Sequence, residues 1–431
     1  MFPSTVSPLS SGAARRFGAT ARLAAGVGLS AAIMLACTEE PLGNLNSESA
    51  PGASSMTQEI LLSVTDLSTW RDTTVTGFAV PSDAPFIIVA EQPELRARAL
   101  SLLNIPDTIN TFADTLPVDH FVNASMRLAL DTVNSVFESF PLTIRMVSLA
   151  QGFVLTEASW TEAGEGRPWV TPGGDLGAEL SSVQMTEVVD SLIFEFQVPV
   201  DSLLKSWQET DGQPGFALVL EGLGSRLLIR AISLRIEAVL EGREESIEQT
   251  LINDERTFIS DPDPPPPGQD LRLGGVPASR FYLEFSPPDS VGGFPLHGST
   301  INHAELIFHP LPPPAEPYAM ERGVLALPVK LMTDPFIWGA KTPIGSSLGG
   351  FSIMEPDSLT AGVPLSIDVR SELIRALSGP ADSIGTIRVG MRSDPDGQSL
   401  GYWEFGSVRS SAAFRPELLI IFTPPAEFGI P

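Results

Sequence analysis

The chain has 431 residues, with 52 acidic against 26 basic side chains and a formal net charge of -26. Phosphate binding needs a basic face, so nucleic acid is excluded as a partner, and so is charge-driven attachment to an anionic membrane. Hydrophobic content of 43% supports real cores in two or three domains, and 39 prolines with 37 glycines favour short strands and turns over long helices.

In chain order, Arg15, Arg16 and Arg22 precede an apolar run from Leu23 to Ala36. That run is too short to span a bilayer, and basic flank, apolar stretch and small residue together spell a secretory signal over residues 1–36. Cleavage is expected just before Cys37, the single cysteine, which rules out an internal disulfide. Met34-Leu35-Ala36-Cys37 resembles the lipobox of bacterial lipoproteins, although that family prefers Leu where Met34 stands. The resemblance implies a diacylglycerol on the Cys37 thiol, a lipid bilayer as partner, and a place in the cell envelope. An ordinary signal peptide with an incidental cysteine is the competing reading. Residues 37–58, rich in Glu, Asn, Ser, Pro and Gly, read as a flexible tether.

A first body is expected over residues 59–252. Ile232, Leu234, Ile236, Ala238 and Leu240 alternate with polar residues, as do Leu142, Ile144 and Met146, and both predict half-buried strands. Phe194, Phe196, Val198 and Val200 predict another. Leu203, Leu204 and Trp207 fall on one side of a short helix beginning at Val200. Pro93 to Ile105 and Phe121 to Phe140 fit either helix or strand. Residues 253–270 contain four consecutive prolines and predict a semi-rigid linker. A second body over 271–425 repeats the first, before a tail at 426–431. Ile301, Ala304, Leu306 and Phe308 match the spacing of Phe121, Ala124, Met126 and Leu128.

The stretch from Ala158 to Asp175 cannot be a helix, because Gly164, Gly166, Pro168, Pro172, Gly173 and Gly174 interrupt it. Trp160 and Trp169 are costly to leave in water, so it reads as a structured loop pinned by tryptophan, with Trp160, Pro172, Gly173, Gly174 and Asp175 as its structural residues. Trp160-Thr-Glu, Gly166-Arg-Pro-Trp169 and Thr171-Pro-Gly-Gly-Asp175 resemble the central loop of DNRLRE-type domains. Arg98-Ala-Leu-Ser-Leu before Phe121-x-x-Ala124, and Arg280-Phe-Tyr-Leu-Glu-Phe285 before Ile301-x-x-Ala304, look similar to that family's strands. The name-giving Asp-Asn-Arg-Leu-Arg-Glu string is absent, and the second body lacks the Trp-Thr-Glu loop. The resemblance implies an all-β chain of two tandem antiparallel jelly-roll β-sandwiches with short helices, and turns the two ambiguous segments into strands. Some members are carbohydrate-binding modules, which makes Trp169, with Glu162 and Glu165 beside it, the candidate saccharide-binding residues and polysaccharide a candidate partner.

No catalytic residue, metal site or cofactor is expected. Gly345-Ser-Ser347-Leu-Gly349 matches a nucleophile elbow on paper but lacks the helix that must follow it. His120, His297, His303 and His309 lack metal-ligand spacing, and Asp394-Pro-Asp396-Gly397 offers too few oxygens for calcium. Two functions therefore compete: a non-catalytic surface-anchored lipoprotein that binds glycan, and a structural or secretion-linked envelope lipoprotein with no small ligand.

Overall fold

In a computed structural model of the chain, residues 57–111, 114–208, 215–379 and 384–425 are described. The expected signal peptide, Cys37, the tether up to residue 56 and the tail lie outside them. The described residues build antiparallel sheets arranged as two β-sandwiches, which bears out the all-β expectation.

In the first sandwich, strands Leu176–Met185, Leu142–Leu149, Phe216–Glu221 and Arg96–Ser101 lie side by side. The Ile87–Glu91 strand carries the ladder onto Ser225–Leu240, Thr115–Leu130 and Ser191–Glu195. Alternation decides which face is dry: Ala99, Ile144, Met146 and Leu218 meet Met126, Leu128, Phe194, Leu234 and Ile236 in one core. The two ambiguous segments contain strands, Arg96–Ser101 and Thr115–Leu130, but residues 131–140, expected to continue the second, form turns and loop. The Phe194 strand, however, stops at Glu195. Pro199 cannot donate to a ladder, and a helix, Val200–Gln208, starts right after it, burying Leu204 and Trp207.

The second sandwich sets a sheet of Gln58–Ser63, Glu417–Thr423, Thr300–Phe308 and Leu365–Asp368 against a larger one. The larger sheet contains Val324–Leu331, Ile387–Asp394, Ala278–Ser286, Leu271–Gly274 and Tyr402–Phe405, with Thr69–Phe78 on the free edge of Ala278–Ser286. Ala304, Leu306, Phe308, Leu418 and Ile420 face Phe281, Leu283, Phe285, Val389 and Met391.

The repeat seen in the sequence is a repeat of pairings. Phe121 and Ala124 are three apart yet both buried, as are Ile301 and Ala304. A strand with a period of two can do this only through a bulge. Pairing steps from Glu237↔Asn123 to Ala238↔Phe121 in one sandwich, and from Phe422↔Ile301 to Ile421↔His303 in the other. Each helix then docks back on that place. The Asp201 carboxylate accepts from Phe121 N at 2.9 Å, and Arg370 Nε donates to Ile301 O at 2.9 Å.

Two expected boundaries change. Gln58–Ser63 pairs with Glu417–Thr423, and Thr69–Phe78 with Ala278–Ser286, so the first strands of the described residues belong to the second sandwich. Arg256–Asp261, expected within the linker, is a strand paired along its whole length with Arg96–Ser101. Backbone N–H and C=O groups at an open edge need partners, and these segments supply them. The first sandwich is thus inserted between strands of the second, and the chain crosses between them twice, at 79–86 and 262–270. Residues Thr57–Pro424 make one compact unit.

Candidate functional site: the tryptophan loop and the cleft between the sandwiches

The tryptophan loop is built as a scaffold. Two tiny strands, Glu162–Gly164 and Arg167–Pro168, pair across a turn at Glu165-Gly166. Leu155 to Glu157 form a turn ahead of the loop, and Phe153 packs with both tryptophans. Trp160 is 7% exposed and Trp169 is 5% exposed. Trp169 Nε1 donates to the Ser159 carbonyl at 2.9 Å. The guanidinium carbons of Arg96 and Arg98 stand 5.2 and 5.1 Å from the Trp160 ring centre.

Asp175 closes the loop, its two carboxylate oxygens accepting from Thr171 N at 2.7 Å and Val170 N at 3.1 Å. Gly173 N donates to Trp160 O at 2.6 Å, and Arg98 Nη1 donates to Gly173 O at 2.5 Å. Burial pushes the Arg98 guanidinium below its usual value, with the charge of Glu91 opposing. Gly173 has φ 92°, and a Cβ there would lie 2.7 Å from Arg98 Nη1 and 2.8 Å from Trp160 Cζ2. Only glycine fits.

This corrects the role expected for Trp169. Its ring belongs to the cluster of Leu100, Leu149, Phe153 and Trp160, and offers no face for a sugar to stack on. Pro168 and Val170 on either side are exposed, which is what disguised it in the sequence. Glu162 is half-buried and Glu165 exposed; their main chains serve the loop, Glu162 N donating to Ser159 Oγ and Glu165 N to Glu157 Oε2.

The first turn of the loop has a second task. Thr156 to Ser159 form one wall of a cleft of about 330 Å³ between the sandwiches. Val80, Phe258, the run Asp263 to Pro267, Arg272 and Tyr402 also line it. That volume falls in the range of small-molecule sites, roughly 300–1,000 Å³.

The proline run is clamped there and does not act as a free spacer. Arg272 is buried, with Nη1 donating to Pro265 O at 2.6 Å and Nη2 to Pro266 O at 3.3 Å. The same guanidinium holds Glu404 Oε1 through Nε and Nη2, at 3.0 and 2.7 Å, and lies 3.9 Å from the Tyr402 ring centre. Tyr318 stacks on Tyr402 and donates its hydroxyl to Pro262 O at 2.6 Å. Burial pushes both tyrosine hydroxyls upward. Desolvation, then the nearby Asp261 charge, pushes the Asp263 carboxyl up as well. An arginine inside the apolar run Leu271-Arg-Leu, which begins four residues after the last of four consecutive prolines, was the available sequence signal for this clamp.

The remaining candidates disperse. Ser347 ends a short strand, Ile344–Ser347, with no helix after it. His120 meets Asp119, His303 meets Glu305, and His309 Nε2 meets Glu417 Oε2 at 2.9 Å. His297 lies 3.0 Å from Leu377 O. Asp396 is occupied by Arg280 and by Ser393 Oγ at 2.9 Å. Among the described residues no cluster of three metal-ligating side chains forms, and no helix is long and apolar enough to cross a membrane.

Neither a family model nor a curated protein matches this chain. Among solved structures, a chain titled BspA_C_WT is 9% identical, with 74% of this chain and 90% of that chain covered, at a TM-score of 0.11. The C-terminal domain of the Streptococcus pyogenes antigen I/II-family protein AspA is 10% identical, with 70% and 76% covered, at 0.12. A structure of infectious bursal disease virus Gx strain is 12% identical, with 84% and 77% covered, at 0.11. Scores this low carry no argument about fold or function.

Proposed function

We propose that this chain is a non-catalytic, exported lipoprotein of a bacterial envelope, anchored to a bilayer through acylated Cys37, whose body is a rigid structural element. The observation that carries this reading is the double crossing between the sandwiches. A stalk or scaffold must resist bending at its domain junction, and two connections plus the Arg272–Tyr402 clamp oppose it, where one free linker would permit it. The acidic surface keeps such a body soluble. The tandem jelly-roll assignment and the kinship with DNRLRE-type domains belong to this proposal, supported by the duplicated order of bulged strand, docked helix and following strand.

Glycan binding is the second reading. Burial of Trp169 removes its first candidate, and the cleft beside Asp263 becomes the place for it.

Two measurements test the proposal. Intact-mass analysis of the native mature protein should show lipid on Cys37, and Cys37→Ser should leave the membrane fraction. An unmodified Cys37 contradicts the anchor. On a glycan array the structural reading expects no retention; retention that Asp263→Asn abolishes would replace it with a binding function.

A further inference from the structure

Each sandwich is completed by a two-strand arm. Ser246–Asn253 lies on Ser225–Leu240 and Arg256–Asp261 on Arg96–Ser101, closing the first. Gln58–Ser63 lies on Glu417–Thr423 and Thr69–Phe78 on Ala278–Ser286, closing the second. The acceptor strands correspond: Arg96–Ser101 and Ala278–Ser286 each pair with the strand after the docked helix, and Ser225–Leu240 and Glu417–Thr423 each pair with the bulged strand. Along the chain the order is arm, sandwich, arm, sandwich. Each arm therefore sits on the sandwich that does not follow it, and the two repeats have traded arms within one molecule.

A contact already traded between repeats needs only a hinge to be traded between molecules. The hinge is the crossing at 79–86. Ala79 has φ 42°, the left-handed region that penalises a side chain, and among the described residues it alone does so without being glycine. A turn follows, closed by Asp83 N to Val80 O at 2.8 Å. Straightening this segment releases Ala79. The arm's side chains bond to the second sandwich: Arg71 to Glu284 and Asp334, Thr76 Oγ1 to Ser279 Oγ at 2.8 Å, and Asp72 Oδ2 accepting from Val408 N at 2.8 Å. All of these contacts survive if arm and acceptor come from different copies.

We propose that residues 57–78 are an exchangeable arm, and that the two edges they cover take the arm of a second copy of this chain. Reciprocal exchange closes a dimer; one-way exchange builds an open chain. The proposal is independent of the anchor, but not of the cleft, because Thr76 of the arm and Val80 and Pro81 of the hinge line it.

Leu61 and Leu419 are register partners, and Leu61 is 51% exposed. In a chain carrying Cys37→Ser, Leu61→Cys and Leu419→Cys, an arm bound in cis closes a disulfide within one chain, and a traded arm closes it between two. After refolding at rising concentration and mild oxidation, non-reducing electrophoresis should show multiples of the chain mass. Their share should grow with concentration as mass action requires. Light scattering on the Cys37→Ser chain, refolded the same way, should show the same species without any cross-link. Ala79→Gly should shift both readouts toward single chains. A single-chain mass at every concentration in both measurements overturns the proposal. Oligomers whose disulfides all close within one chain overturn the arm as their cause.

Discussion

Trp70 and Phe285 are register partners on neighbouring strands, their rings 5.5 Å apart, although they stand more than two hundred residues apart in the chain. Trp70 Nε1 donates to Asp72 Oδ2 at 2.9 Å, and the same oxygen accepts from Val408 N. The N-terminal arm is thereby tied to both the sheet and a loop of the second sandwich.

Trp70→Ala should therefore unfold the second sandwich, not the first. Packed tryptophan truncations cost about 3–5 kcal/mol, and Trp70 is only half-buried, so the lower end is expected. Hydrogen exchange should show lost protection in Glu417–Thr423 and Ala278–Ser286 while Ser225–Leu240 keeps its own. Equal loss in both sandwiches would show that the arm is not specific to the second.

The two loop tryptophans should behave alike. Trp160→Ala and Trp169→Ala each empty part of the same cluster, so each should cost about 3–5 kcal/mol, a large share of a domain's roughly 5–15 kcal/mol. Thermal melts check this. A Trp169→Ala protein that melts near the wild-type temperature would return that ring to the surface.

Much of this fold was legible. Ile232 to Leu240 and Leu142 to Met146 announced their strands by alternation, and Leu203, Leu204 and Trp207 their helix. The matching Phe121-x-x-Ala124 and Ile301-x-x-Ala304 announced the duplication. Alternation reports which face of a strand is dry; it does not name the neighbour across the edge. For that reason Gln58–Ser63 and Thr69–Phe78 read as the start of the first body. The Thr-Phe-Ile-Ser of residues 257–260 is a fully buried strand hidden beside a proline run that draws the eye to a linker. The cleft was illegible because its walls come from four distant stretches, around Val80, Glu157, Pro265 and Tyr402.

Arg272→Ala should release the proline run. The guanidinium is buried and its partner Glu404 would lose its charge pair, a change that costs up to about 3–5 kcal/mol when the pair is fully buried. Glu404 keeps 26% of its side chain exposed, so a smaller loss is expected. Protease cleavage within 262–268 should become faster. An unchanged cleavage rate would mean that Arg272 does not hold the run.

Acid should weaken the first sandwich through Asp131. Burial opposes its charge, but hydrogen bonds from Asn134 and Arg230 outweigh that and hold the carboxyl below its usual value. A depressed folded value stabilises the native state above the unfolded value of about 3.9, and this stability is lost as pH falls through the lower folded value. Asp131→Asn should be less stable at neutral pH and lose less on acidification. Parallel stability–pH curves for the two proteins would remove Asp131 as a contributor.

The central claim is that the first sandwich is inserted between strands of the second, so that one polypeptide cut cannot separate them. The direct measurement is a single proteolytic cut in the 262–268 crossing followed by size-exclusion chromatography without denaturant. The two fragments should elute together at the mass of the intact chain, because Gln58–Ser63 and Thr69–Phe78 remain paired with Glu417–Thr423 and Ala278–Ser286. Elution as two separate folded fragments would contradict the account.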